Sequence, residues 1–130
     1  MIFVKRVYDP VETSDGLRFL VDGLWPRGVK KESAHLNAWL KGVSPSHELR
    51  TWFAHDPEKW EEFQTRYFAE LDEKPKAWGT LLESARSGDL TLVFSAQDAQ
   101  YNNAVALRLY LIKHLKNRKR TQRHSVAAHN

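Results

Sequence analysis

The chain has 130 residues and a mass of 15.1 kDa, with 42% hydrophobic and 28% charged residues, which suits one compact domain with a real core and argues against wholesale disorder. The absence of cysteine excludes disulfides, thiolate nucleophiles and cysteine-ligated zinc or iron–sulfur sites. The formal net charge is +4, but Lys116, Arg118, Lys119, Arg120 and Arg123 lie in a terminal stretch without acids, and the rest of the chain carries fifteen basic against sixteen acidic side chains, so the basic character belongs to a tail.

Ile2 to Tyr8 reads as a strand, apolar except for Lys5 and Arg6. Turn formers follow, Asp9-Pro10 and Ser14-Asp15-Gly16, and then a second strand from Leu17 to Asp22, with Leu17, Phe19 and Val21 on one face and Arg18, Leu20 and Asp22 on the other. Gly23 to Lys31 is a loop containing Trp25-Pro26-Arg27-Gly28. Ser33 is placed to cap a helix whose stripe is Leu36, Trp39 and Leu40, with Gly42 as its stop. Ser44-Pro45 and Asp56-Pro57 are helix starts with proline at the first position, the second opening a helix striped by Trp60, Phe63, Tyr67 and Leu71. Pro75 opens another, with Trp78, Leu81, Leu82 and Ala85 inward and Gly88 as its end. Leu90 to Phe94 is a nearly continuous apolar run of the kind found in a central strand covered on both faces. Asn102 to about Arg118 forms a final helix, apolar over most of its circumference and therefore buried.

The layout is α/β: a small three-layer domain over residues 1–116, with a short mixed, partly parallel sheet and about five helices, followed by a basic, flexible tail at 117–130. The first and last strands are expected to pair parallel. The second is expected to run antiparallel beside the first. No apolar run approaches the roughly 18 residues of a membrane span, and the opening residues show no secretory pattern. The expectation is a cytoplasmic protein with no membrane partner.

Four blocks carry a family likeness: Arg6-Val7-Tyr8-Asp9; Asp22-Gly23-Leu24-Trp25-Pro26-Arg27-Gly28; Trp52-Phe53-Ala54-His55-Asp56-Pro57; and Phe94-Ser95-Ala96-Gln97-Asp98 with Asn102-Asn103-Ala104. In this order they make the chain resemble the bacterial YeaO-like proteins of the DUF488 family, over about residues 2–115. The resemblance implies a small cytoplasmic α/β protein. It brings no substrate, cofactor or catalytic residue with it.

Ligands of open α/β sheets bind beyond the carboxyl ends of the strands. There the chain offers Arg6, Trp25, Arg27, Asn102 and Asn103 as ligand-binding residues, with Lys30 a further cation. Tryptophan beside arginine suits a planar ligand with an anionic group, and a helix start at Asn102-Asn103 suits an anion. Acid–base or hydrolytic chemistry would fall to His55 with Asp9 or Asp98. Each has a structural alternative: Asp98 or Asn102 as a cap, Trp25 as a loop anchor, and Arg6 in an ion pair with Asp9 or Asp22. The histidines do not fall at metal-ligand spacing, and no cofactor motif is present. The leading expectation is a small anionic ligand, a nucleotide or an acidic metabolite, in a pocket at the sheet edge. The alternatives are a nucleic-acid accessory protein using Lys30, Lys31 and the tail, although no helix-turn-helix with a basic recognition helix is visible, and an interaction module without catalysis.

Overall fold

The computed structural model describes the backbone of residues 1–129 and the side chains of residues 1–117. The basic side chains from 118 onward, on which the expectation of a flexible tail rests, lie outside the described residues.

The apolar run Leu90–Phe94 forms β4, and all five of its residues are buried. A strand buried on both faces takes a central place in a sheet. It is flanked by β1 (Ile2–Arg6), in register from Ile2 opposite Leu90 to Arg6 opposite Phe94, and by β2 (Leu17–Leu20), from Leu17 opposite Leu90 to Leu20 opposite Val93. A two-residue edge strand, β3 (Ala38–Trp39), completes the order β1-β4-β2-β3. Every neighbouring pair is parallel. The expected antiparallel pairing of the first two strands is thereby corrected. Both strands need the apolar edge of β4, so the segment between them returns to the amino edge of the sheet and β2 starts there, on the far side of β4.

Side chains of β4 alternate between two cores. Leu90, Leu92 and Phe94 join Ile2 and Val21 against a thick helical layer that includes Phe63, Tyr67, Leu81 and Leu107. Leu20 and Val93, with Val7, face a thinner cover made by Trp25, Val29, Leu36 and Trp39. Each fully buried Leu or Phe contributes about 1.5–3 kcal/mol. Among the described residues five α-helices accompany the sheet: α1 (Lys31–Ala34), α2 (His47–Phe53), α3 (Trp60–Asp72), α4 (Pro75–Ser87) and α5 (Asn103–His129). No helix is long and apolar enough to cross a membrane among the described residues.

Two local expectations change. The Leu36, Trp39, Leu40 spacing does not make a helix. α1 is a single turn that His35 ends in the left-handed region at φ 49°. Residues 38–39 instead pair with β2, and the Trp39 Nε1 donates to the Asp22 carbonyl at 2.7 Å. The Ser44-Pro45 start moves two residues on. Ser46 is the cap, its Oγ accepting from the Leu49 amide at 3.1 Å. Asp56 does cap, accepting from the Glu58 amide at 3.0 Å, and a short 3-10 turn at Pro57–Lys59 leads into α3.

Tyr67 ties α3 to the segment before α2. Its buried hydroxyl donates to the Val43 carbonyl at 2.5 Å. Burial, with the charges of Glu70 and Asp22 adding to it, pushes the phenol far above its ordinary value of 10.0. Tyr67→Phe leaves a buried carbonyl unpaired, so urea denaturation at pH 7 is expected to show a loss of about 1–3 kcal/mol. The raised value places the hydroxyl's contribution below pH 10. It fades above that pH, where the unfolded chain's tyrosine ionises first, and Tyr67→Phe removes that alkaline slope.

Candidate functional site

With all strands parallel, their carboxyl ends lie along one edge of the sheet. The segments leaving β1, β2 and β4 meet there, beside α2. Between them lies a cavity of about 440 Å3, within the range of small-molecule sites (roughly 300–1,000 Å3). Its aromatic wall is Tyr8, Trp25, Phe53 and Phe63, and its polar lining includes Asp22, Arg27, Arg50, His55, Ser95 and Asn103.

The base of the site is a hydrogen-bonded tie between three segments. β2 runs out at Asp22, whose Oδ2 accepts from the Ser95 amide at 2.9 Å and from the Ser95 Oγ at 2.7 Å. Asp22 Oδ1 accepts from Asn103 Nδ2 at 3.1 Å, and the same nitrogen donates to the Val21 carbonyl at 3.1 Å. One carboxylate thus fixes the end of β2 to the end of β4 and to the first residue of α5.

Arg50 comes from α2, between Leu49 and Phe53 on the inward side of the helix. Its guanidinium makes no hydrogen bond or ion pair among the described residues, and its Nε is buried without a partner. It lies against Gly23, where an added Cβ would stand 3.1 Å from Arg50 Nη1. The side chain is half-buried: its Nε is cut off from water without a partner, and its remaining donors face the open cavity.

The other expected site residues divide. Trp25, Arg27, His55 and Asn103 line the cavity. Trp25 is held by its Nε1, which donates to the Val29 carbonyl at 2.7 Å, and by an edge-on contact with Trp39. The exposed Arg27 is placed by its carbonyl, which accepts from Tyr8 Oη at 2.9 Å. His55 follows Ala54, and both adopt left-handed φ values, 57° and 45°. That conformation costs a non-glycine residue of order 1–3 kcal/mol, and it puts the imidazole at the rim.

Arg6, Asp9, Asp98 and Asn102 do not line the cavity. Arg6 makes none of the ion pairs considered for it. Its Nε donates to the Ala96 carbonyl at 2.8 Å and its Nη2 to the Ser95 carbonyl at 3.4 Å, and its guanidinium stacks over Tyr8. It clamps the exit of β4. Asp9 is exposed in the turn after β1. Asp98 Oδ1 accepts from the Gln100 and Tyr101 amides at 2.8 and 3.0 Å, and these bonds, with a smaller push from His55, hold its carboxyl below the usual range. Asn102 is fully buried as the cap of α5. Its Oδ1 accepts from the Val105 amide and its Nδ2 donates to the Asp98 carbonyl, both at 2.9 Å. Lys30 is exposed before α1.

Arg50 and Ser95 line the cavity without being among the expected ligand contacts, and Asp22, expected as a possible mate for Arg6, ties Ser95 and Asn103 instead. A signal for Arg50 was present: it sits three residues before Phe53 and four after the Ser46 cap, where a helix turned toward its core is expected to be apolar.

An all-parallel four-stranded sheet with helices and an open cavity across its carboxyl edge defines a small α/β domain. Over residues 1–129 the chain matches the family described as the inactive DUF488-N3 subclade, and it belongs to that family. It is 43% identical over 107 residues to the uncharacterised protein YeaO of Escherichia coli (strain K12), a match covering 82% of this chain and 93% of that protein. It is 47% identical over 68 residues to uncharacterised proteins of Mycobacterium bovis and Mycobacterium tuberculosis, covering 52% of this chain and 58% of each of those. No solved structure matches it.

Proposed function

We propose that this chain binds a small anionic molecule in the carboxyl-edge cavity and does not transform it. The observation that carries this reading is the unpartnered Arg50 guanidinium at the cavity wall. Arg50 is half-buried with its Nε covered, and its guanidinium has no counter-charge among the described residues, so an anion in the cavity supplies the partner it lacks. Arg27 adds a second guanidinium, and Trp25 and Tyr8 offer flat apolar surface. Two features favour binding over turnover. The subclade carries the description "inactive". The acids near His55 are also committed elsewhere: Asp98 to backbone amides, Asp22 to Ser95 and Asn103. The nucleic-acid alternative draws on tail side chains outside the described residues, and no geometry at the sheet edge favours it.

The test is calorimetric titration with inorganic phosphate, nucleoside monophosphates and di- and tricarboxylates. Binding by at least one of these is expected, weakened about 10- to 100-fold by Arg50→Gln, the worth of one charged hydrogen-bond contact of 1.5–3 kcal/mol. Arg27→Gln should cost only a few-fold, because its side chain is exposed to screening water. Absence of binding by the whole panel, or affinity indifferent to Arg50→Gln, would overturn the reading. Steady release of product from a bound ester would overturn its non-catalytic half.

A further inference from the structure

Which anion the cavity takes can be narrowed by counting the hydrogen-bond capacity left over at its base, an inference that rests on the binding reading above. A carboxylate offers about four lone-pair sites. Asp22 fills three of them, two on Oδ2 from Ser95 and one on Oδ1 from Asn103. One site on Oδ1 remains. The two bonds from Asn103 Nδ2, to the Val21 carbonyl and to Asp22, also fix which way that amide faces, since only its NH2 branch can satisfy two acceptors. Its Oδ1 branch accepts nothing among the described residues, and both residues line the cavity. The base therefore presents two neighbouring acceptors and asks for two donors.

The Arg50 guanidinium sits close by, against Gly23, the residue after Asp22, yet the two make no ion pair. A cation and a carboxylate that share one cavity without pairing are each open to a different part of one ligand. Donors belong at the Asp22 and Asn103 end, negative charge at the Arg50 and Arg27 end, and a flat ring along Tyr8 and Trp25. We infer that the ligand is a ribonucleoside phosphate, its vicinal hydroxyls donating to Asp22 Oδ1 and Asn103 Oδ1 and its phosphate gripped by Arg50 and Arg27. Gly23 contributes by lacking a side chain, since any Cβ there would press on the guanidinium.

Titration of the full chain with four probes tests this: adenosine 5′-phosphate, its 2′,3′-dideoxy analogue, ribose 5-phosphate and inorganic phosphate. The adenosine 5′-phosphate is expected to bind at least tenfold more tightly than the dideoxy analogue, because losing both hydroxyls leaves two acceptors without donors beneath the bound sugar. Ribose 5-phosphate should bind more weakly for want of the ring, and phosphate most weakly. In Asp22→Asn, Ser95 still requires an acceptor, so the new amide NH2 takes the Oδ1 place, where it faces the Asn103 Nδ2 and the ligand and no longer accepts from a hydroxyl. The ratio between the two nucleotides is then expected to fall toward one. Should that variant unfold, Asn103→Ala provides a second reading of the same ratio. Equal affinity for the two nucleotides in the wild-type chain would overturn this inference and leave the anion site standing. Failure of all four probes, inorganic phosphate included, would count against both.

Discussion

Replacing Gly16 with alanine will cost about 3–5 kcal/mol of stability, at the far end of what single substitutions do. Gly16 has φ 65° and ψ −141°, a region that only glycine enters without strain. The larger cost is steric. A Cβ at this position would stand 2.1 Å from the Asp89 carbonyl oxygen and 2.7 Å from its carbon. Both are backbone atoms, so no side chain can turn aside. The same oxygen accepts the Leu17 amide at 3.1 Å, the bond that opens the ladder between β2 and β4. Moving it apart breaks the register that places Leu17 opposite Leu90. Gly28→Ala is the control. Its φ is 71°, equally left-handed, but nothing lies within 4 Å of its added Cβ. It should cost only the conformational share, about 1–2 kcal/mol. Urea denaturation of the two variants separates the terms, and equal losses would show that close approach is not what makes Gly16 necessary.

The sequence marks Ser14-Asp15-Gly16 as a turn but does not say why the turn must be tight. That requirement comes from Asp89, more than seventy residues away. The same division runs through the molecule. β4 and α4 are legible because burial on both faces and a proline-to-glycine frame leave local traces in Leu90–Phe94 and Pro75–Gly88. β3 is not legible. Two residues carry no period, and the Leu36, Trp39, Leu40 spacing happens to fit a helix, so pairing with β2 overrides it. The parallel arrangement of β1 and β2 is likewise invisible, since it follows from competition for β4 and not from the loop between them. At the cavity, Trp25, Arg27, His55 and Asn103 stand out as polar or aromatic residues in loops and at a helix start. Asp22 has its true partners 73 and 81 residues along the chain, beyond any local pattern. Arg50 was hidden by the helical stripe around it, in which it passes for a boundary residue.

The corner before Gly16 holds the second large effect. Asp15 and Arg18 are only 5% and 3% exposed. Asp15 Oδ2 accepts from Arg18 Nη1 at 2.6 Å and from the Glu12 amide at 3.1 Å, and its Oδ1 accepts from Lys5 Nζ at 2.8 Å. Arg18 spends its Nε and Nη2 on the Ala34 carbonyl, at 3.3 and 3.2 Å. This cluster joins β1, β2 and α1, and the Asp15 carbonyl accepts from Thr91 on β4. Asp15→Ala strands a buried guanidinium, so a loss of about 3–5 kcal/mol is expected at pH 7. A double replacement, Asp15→Leu with Arg18→Met, should recover much of it, because desolvating a charge pair offsets most of its attraction. Burial alone would push the Asp15 carboxyl up, but hydrogen bonds from Lys5, the Glu12 amide and Arg18 outweigh burial and hold it below its ordinary 3.8. The folded chain therefore keeps this proton off at pH values where the unfolded chain has already taken it up. The Asp15 contribution is complete above pH 3.8 and is lost as pH falls through the lower folded value. Urea midpoints of wild type and Asp15→Ala should stay well apart at pH 7 and 5 and draw together at pH 3. A gap unchanged at pH 3 would mean that the alanine acts through packing and not through the charge.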